Sequence, residues 1–166
     1  MTDAEQRDAE IESAPKRYSP ALSGFHEYNE ANFVCPAEYQ CSTEFIVDEL
    51  SRHAYPGQDP NIPATDGSHN EVYDPDYGFP GGTVKTTISS DGLTLVNRTL
   101  PGHVFHDGII IRRATRLPNG AWSINIRGVG NNETVGMDYI NQTQGPRIFR
   151  RVDEKMRESI QKRLRR

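Results

Sequence analysis

Two β-branched runs, Ile109–Leu117 and Ala121–Arg127, face each other across Pro118-Asn119-Gly120, and Trp122, Ile124 and Ile126 alternate with Ser123, Asn125 and Arg127. Turn residues that tolerate positive φ, set between runs of period two, are the signature of an antiparallel hairpin. A second hairpin is spelled by Thr83–Ile88 and Leu93–Asn97 around Ser89-Ser90-Asp91-Gly92. Together they predict an antiparallel sheet of at least four strands.

Helices flank this sheet in the sequence. Cys41, Phe45, Ile46, Leu50 and Ala54 form one apolar stripe. The helix that carries it opens with Pro36 in its first turn and stops at Tyr55-Pro56-Gly57. At the other end, Phe149, Val152, Met156, Ile160 and Leu164 recur at helical spacing in a helix expected to start at Pro146. The expected fold class is therefore α+β, with an N-terminal and a C-terminal helix packed on the sheet. Residues 1–20 are polar and acidic without periodicity and read as a leader or linker, which leaves 21–166 as a single domain. The Pro-, Gly- and Asp-rich stretch from Pro56 to Gly82 reads as a long loop, either functional or hiding a short element. No apolar run approaches the ~20 residues of a transmembrane helix, and no secretory signal opens the chain. The expectation is a soluble protein that is cytosolic, cut from a larger exported polypeptide, or exported by a route that leaves no signal in the sequence.

Cys35 and Cys41 leave three readings open. Six helical residues would hold the sulfurs about 9 Å apart at ~1.5 Å per residue, so a local disulfide requires Cys35 to precede the helix. The default is two unpaired, partly buried thiols; the third reading is a cysteine nucleophile. Asn-x-Thr sequons begin at Asn97, Asn132 and Asn141 and read as coincidental in an Asn-rich chain.

Charge is divided unevenly. Residues 1–80 carry 16 acids against 4 bases, and residues 81–166 carry 7 acids against 15 bases, so a net charge of -4 is the sum of about -12 and +8. Such asymmetry suits either a polyanionic partner or neutralisation of one half by the other. Residues 147–166 alone hold nine bases against three acids, a solvated helix face or an electrostatic guide.

With a two-residue Asn119-Gly120 loop, Leu117 pairs with Trp122, Thr115 with Ile124, Arg113 with Ile126, and Arg112 with Arg127. That register buries Ile111, Thr115, Leu117, Trp122 and Ile124 together. Facing arginines repel unless an anion lies between them. A three-residue loop places Arg112 opposite Ile126 instead and dissolves the pair. Just upstream, Pro101-Gly102 and Asp107-Gly108 bracket His103 and His106. Two imidazoles beside arginines are the parts needed for metal-free phosphodiester cleavage: one base, one acid, and a cation on the phosphate. His103, His106, Arg112 and Arg127 are thus the candidate catalytic residues. Arg116, Asn125, Asn131 and Asn141 are the substrate-binding candidates. A metal reading lacks a third ligand, so no metal or cofactor is expected. Gly128-Val129-Gly130 has no following Lys-Ser or Lys-Thr and reads as a tight turn after Arg127.

The cadence Ser90-Asp91-Gly92-Leu93, Asn97-Arg98-Thr99, Leu100-Pro101-Gly102-His103, His106-Asp107-Gly108, Arg112, Gly128-Val129-Gly130 and Gly145-Pro146-x-x-Phe149 resembles the C-terminal toxin-type modules of polymorphic bacterial secreted proteins. The resemblance covers residues 90–149. It implies an effector delivered into another cell and neutralised by a cognate immunity protein. The leading expectation is a toxin-like domain that cleaves RNA by His/Arg acid–base chemistry. The alternative is a non-catalytic module docking an acidic protein or an anionic lipid through the basic half.

Overall fold

The computed structural model describes residues 1–74 and 79–165. It contains β1 (Phe25–Cys35), β2 (His69–Asp74), β3 (Phe79–Ile88), β4 (Thr94–Thr99), β5 (Gly108–Arg116) and β6 (Trp122–Asn131), with helices α1 (Asp3–Ser13), α2 (Thr43–Arg52) and α3 (Met137–Leu164). The six strands form one antiparallel sheet in the order β1-β6-β5-β4-β3-β2. The α+β class and both flanking helices are as the sequence predicts. Among the described residues no helix is long and apolar enough to cross a membrane.

The third and fourth strands of the sequence reading are real, but their register differs by one. Arg112 faces Ile126, and Ile111 faces Arg127. Pro118, Asn119 and Gly120 form a three-residue loop, in which Leu117 N–H donates to Ala121 O at 2.7 Å and Gly120 N–H to Leu117 O at 2.9 Å. Gly120 takes φ 91°, a conformation a side chain would strain. Because strand side chains alternate, one residue of slip moves Ile111 and Thr115 to the outer face and brings Ile110, Arg112 and Ala114 inward. Trp122, Ile124 and Ile126 stay on the inner face.

That inner face packs under α2 and α3 as the main core, with Val34, Ile46, Leu50, Leu95, Met156 and Ile160 almost fully buried. A smaller cluster lies on the opposite face, where Ile11 and Tyr18 pack on Val96, Ile109 and Val129. The first twenty residues thus contain an element that their hydropathy does not announce. α1 is opened by a reciprocal Thr2–Glu5 capping box and meets the sheet through one buried side chain, Ile11. Its polar remainder is tied by Arg7 to Asp66 at 3.1 Å and by Asp8, which accepts from Ser90 N–H at 2.8 Å.

Further boundaries move for identifiable reasons. α2 begins at Thr43, because the Ser42 hydroxyl accepts from Phe45 N–H at 3.1 Å and caps it there. Cys35 ends β1 and Cys41 precedes α2, so the pair is joined by a disulfide across a short turn rather than left as unpaired thiols. The Pro56–Gly82 loop hides β2 and the start of β3; of its glycines, Gly78 lies outside the described residues. Gly128-Val129-Gly130 is no turn but the continuation of β6. α3 starts nine residues before Pro146, which sits inside it and withholds one helical N–H.

Candidate functional site

The long helix α3 crosses the inner face of the sheet, and Gly145 lets it approach closely. A Cβ there would stand 2.5 Å from the Tyr28 hydroxyl, and one at Gly128 would stand 2.2 Å from the Tyr28 ring. Tyr28 on β1 is therefore clasped between a glycine of β6 and a glycine of α3. Beside it the sheet and helix part to leave a cavity of about 80 Å³. Its wall is mainly apolar, with Val72, Val84, Ile110, Ile148 and Phe149 contributed by three strands and α3, closed by Val104 and Phe105 of the loop before β5.

Polar groups in this wall are few. Asn97 is engaged through both ends of its amide, donating to Ala54 O at 2.8 Å and accepting from the Thr86 hydroxyl at 2.7 Å. Asn141 meets Nε2 of buried His26 at 2.8 Å. The Tyr28 hydroxyl is buried and has no hydrogen-bond partner among the described residues, and burial pushes its ionisation well above the ordinary tyrosine range.

His103 is the histidine of the wall. Its Nδ1 accepts from Phe105 N–H at 3.0 Å, which leaves the ring proton on Nε2 in the neutral form. Burial, and then the nearby His106, push its pKa down to about 4. At neutral pH His103 is an uncharged imidazole whose Nε2–H donor is not used by the loop.

The other candidates from the sequence are dispersed. His106 lies outside the cavity lining. Its Nδ1 is 3.0 Å from the Thr99 hydroxyl and its Nε2 3.7 Å from a Glu133 carboxylate oxygen. Arg112 is wholly buried beneath α3, where it pairs with Asp153, donates to His53 O and lies 6.0 Å from the Phe149 ring centroid. Arg127 points from the outer face and pairs with Glu27 at 2.9 Å. The proposed arginine pair is thus split between opposite faces, as the three-residue loop dictates. Arg116 stacks over Trp122 at 5.8 Å, and Asn125 donates to Thr115 at 3.0 Å on the outer face. Asn131 organises the approach to β1, accepting from Ser19 N–H at 3.0 Å and donating to three carbonyls of residues 19–23. Of the eight candidates, only His103 and Asn141 line the cavity. Tyr28, Asn97 and Thr99 were not legible, because what makes each part of the wall is a neighbour remote in sequence.

No protein-family model and no curated protein matches the chain. Solved structures do. The di-domain ARO/CYC StfQ from the steffimycin biosynthetic pathway superposes with a TM-score of 0.50 at 10% identity, over 92% of this chain and 53% of that one. What is shared is the fold. This chain spans about half the length of that di-domain protein. Protein NE0264 from Nitrosomonas europaea matches with a TM-score of 0.50 at 10% identity, over 83% of this chain and 96% of its own. In this chain the antiparallel sheet grips the long C-terminal helix, and the cavity lies within that grip.

Proposed function

We propose that this protein binds a small, mainly apolar organic molecule bearing a hydrogen-bonding group, in the cavity between the sheet and α3. One observation carries the reading: an apolar cavity whose wall holds the buried Tyr28 hydroxyl, without a partner among the described residues, beside the His103 ring, whose Nδ1 takes the Phe105 N–H and so turns Nε2–H away from the loop. Apolar walls supply affinity, and a few convergent polar groups supply orientation. Burying a hydroxyl with no partner costs about 1–3 kcal/mol, a cost that a ligand acceptor removes. An engineered apolar cavity of about 150 Å³ holds benzene, so a cavity of about 80 Å³ suits a slender ligand or one that parts its wall on entry.

RNA cleavage by His103, His106, Arg112 and Arg127 is the competing reading. It needs all four groups around one phosphate, whereas Arg112 is engaged by Asp153 and Arg127 by Glu27 on the other face. Ligand binding uses the residues as they are arranged.

Isothermal titration with 1-octanol, a slender chain with one hydroxyl, tests the proposal. One-to-one binding that is lost in Val84→Phe, with the circular dichroism spectrum retained, is the expected result. No binding to the unaltered protein overturns it.

A further inference from the structure

A cavity of about 80 Å³ walled by sheet, helix and loop takes up a ligand only if one of those walls gives way. The sheet is held by its ladders. The loop before β5 is pinned at several points. Val104 N–H donates to Gly81 O and Glu133 N–H to His106 O, both at 2.9 Å, while the Asn132 amide donates to Phe105 O at 2.7 Å and the Tyr18 hydroxyl to Asp107 at 2.8 Å. From Phe149 onward α3 is fastened by Val152, Met156 and Ile160 in the core and by the Asp153–Arg112 pair.

The first part of α3, Met137–Gly145, is held differently. Asn141 and Gly145 are its buried residues, and neither brings an apolar side chain to the core. Tyr139 and Ile140 stand 73% and 40% exposed. Asn141 meets His26 at 2.8 Å, and Gln144 has a partner as well, so polar contacts rather than apolar burial tie this segment down. Its helix is also weak from within. Gly136 at its start supplies no side-chain cap. The Thr143 hydroxyl donates back to Tyr139 O at 3.0 Å and Ile140 O at 3.1 Å, a contact that loosens and bends helices. Glycine at 145 lowers helix propensity, and Pro146 has no N–H to offer Gln142 O, so the helical ladder is interrupted where the segment joins the anchored part of α3.

We infer that Met137–Gly145 is the gate of the cavity, turning about Gly145-Pro146 to admit and release the ligand. This inference rests on the ligand-binding reading above and names its entry route. Asn141 and Gly145 both line the cavity, and Gly145 lies against the Tyr28 hydroxyl, so lifting this segment uncovers the polar group that receives the ligand. The motion breaks the His26–Asn141 contact and exposes little apolar surface, which makes it the least costly opening in the wall.

Hydrogen exchange of the full-length protein, followed by mass spectrometry, gives the first readout. Amides of residues 137–145 are expected to exchange at least about tenfold faster than those of 149–160 and to slow when 1-octanol is added. The second readout is the rate of 1-octanol binding and release, taken from NMR line shapes. Pro146→Ala restores the N–H for Gln142 O and stiffens the hinge, so both rates are expected to fall about tenfold with Kd held within about twofold. Asn141→Ala removes the tie to His26 and is expected to speed release. Unchanged rates in Pro146→Ala, a change in Kd without slowing of both rates, or exchange at 137–145 as slow as at 149–160 overturns the gate while leaving the cavity standing. Failure of 1-octanol to bind any of the three proteins overturns the ligand-binding reading and the gate with it.

Discussion

Tyr28 is the residue on which most of the site's geometry converges. Its ring occupies the space that Gly128 and Gly145 leave open, and its hydroxyl is buried without a partner. Tyr28→Phe deletes an unpaired polar atom while keeping the ring, so it is expected to raise stability by about 1 kcal/mol in urea unfolding. Gly145→Ala forces a methyl group against that same hydroxyl and is expected to cost about 1–3 kcal/mol. His103 gives a pH signature. Its folded pKa of about 4 lies below the ~6.5 of an unfolded histidine, so between these values the unfolded chain binds the extra proton. Its contribution is fully present above about pH 6.5 and declines as pH falls through that window, the loss reaching at most about 3 kcal/mol by pH 4. His26, lowered by burial, works in the same direction. His103→Gln is expected to flatten, though not abolish, the fall in melting temperature between pH 6.5 and 4. An unchanged slope would show that His103 titrates normally.

At the scale of elements, the buried Arg112–Asp153 pair joins β5 to α3. Asp153 also accepts from Asn32 of β1 at 2.9 Å, and Arg112 reaches the carbonyl of His53 where α2 ends. Removing one member leaves the other charge buried and uncompensated. Arg112→Met is thus expected to cost about 3–5 kcal/mol, and Arg112→Met with Asp153→Leu to recover most of the loss. The pairwise coupling, read from denaturant midpoints, would be near zero if the arginine were instead available to a substrate. The disulfide closes the turn between β1 and α2. A loop this short is worth about 2 kcal/mol in chain entropy, so Cys35→Ser with Cys41→Ser is expected to lose that amount, with the sheet retained. Asn97, Asn132 and Asn141, which open the three sequons, are all buried; each amide is spent inside the fold, on Ala54 O, Phe105 O and His26 respectively.

For the whole molecule, the opposed charge of the two halves is met in part by internal pairing. Arg127 meets Glu27, Arg150 meets Glu30, and Arg163 reaches Asp48 and Glu49. In each case a base from the second half neutralises an acid from the first. Total RNA incubated with the protein, with and without chelator, is therefore expected to survive intact. Cleavage that persists with chelator and disappears in His103→Ala would restore the ribonuclease reading. The sequence by itself determined the α+β class, the two hairpins and the apolar stripes of α2 and the C-terminal half of α3, because these rest on local periodicity and turn chemistry. It determined His103 and Asn141 as residues worth watching. Only the tertiary structure decided the hairpin register, since one residue of loop length sets which arginine faces inward, and a strand edge looks the same from either register. Only tertiary structure decided β1, whose inner face carries Tyr28, Glu30 and Asn32 and whose partners lie about 100 residues away. The same holds for the cavity itself. It exists because Gly128 and Gly145, remote in sequence, let a tyrosine lie flat between sheet and helix, and that meeting is a property of packing rather than of any local pattern.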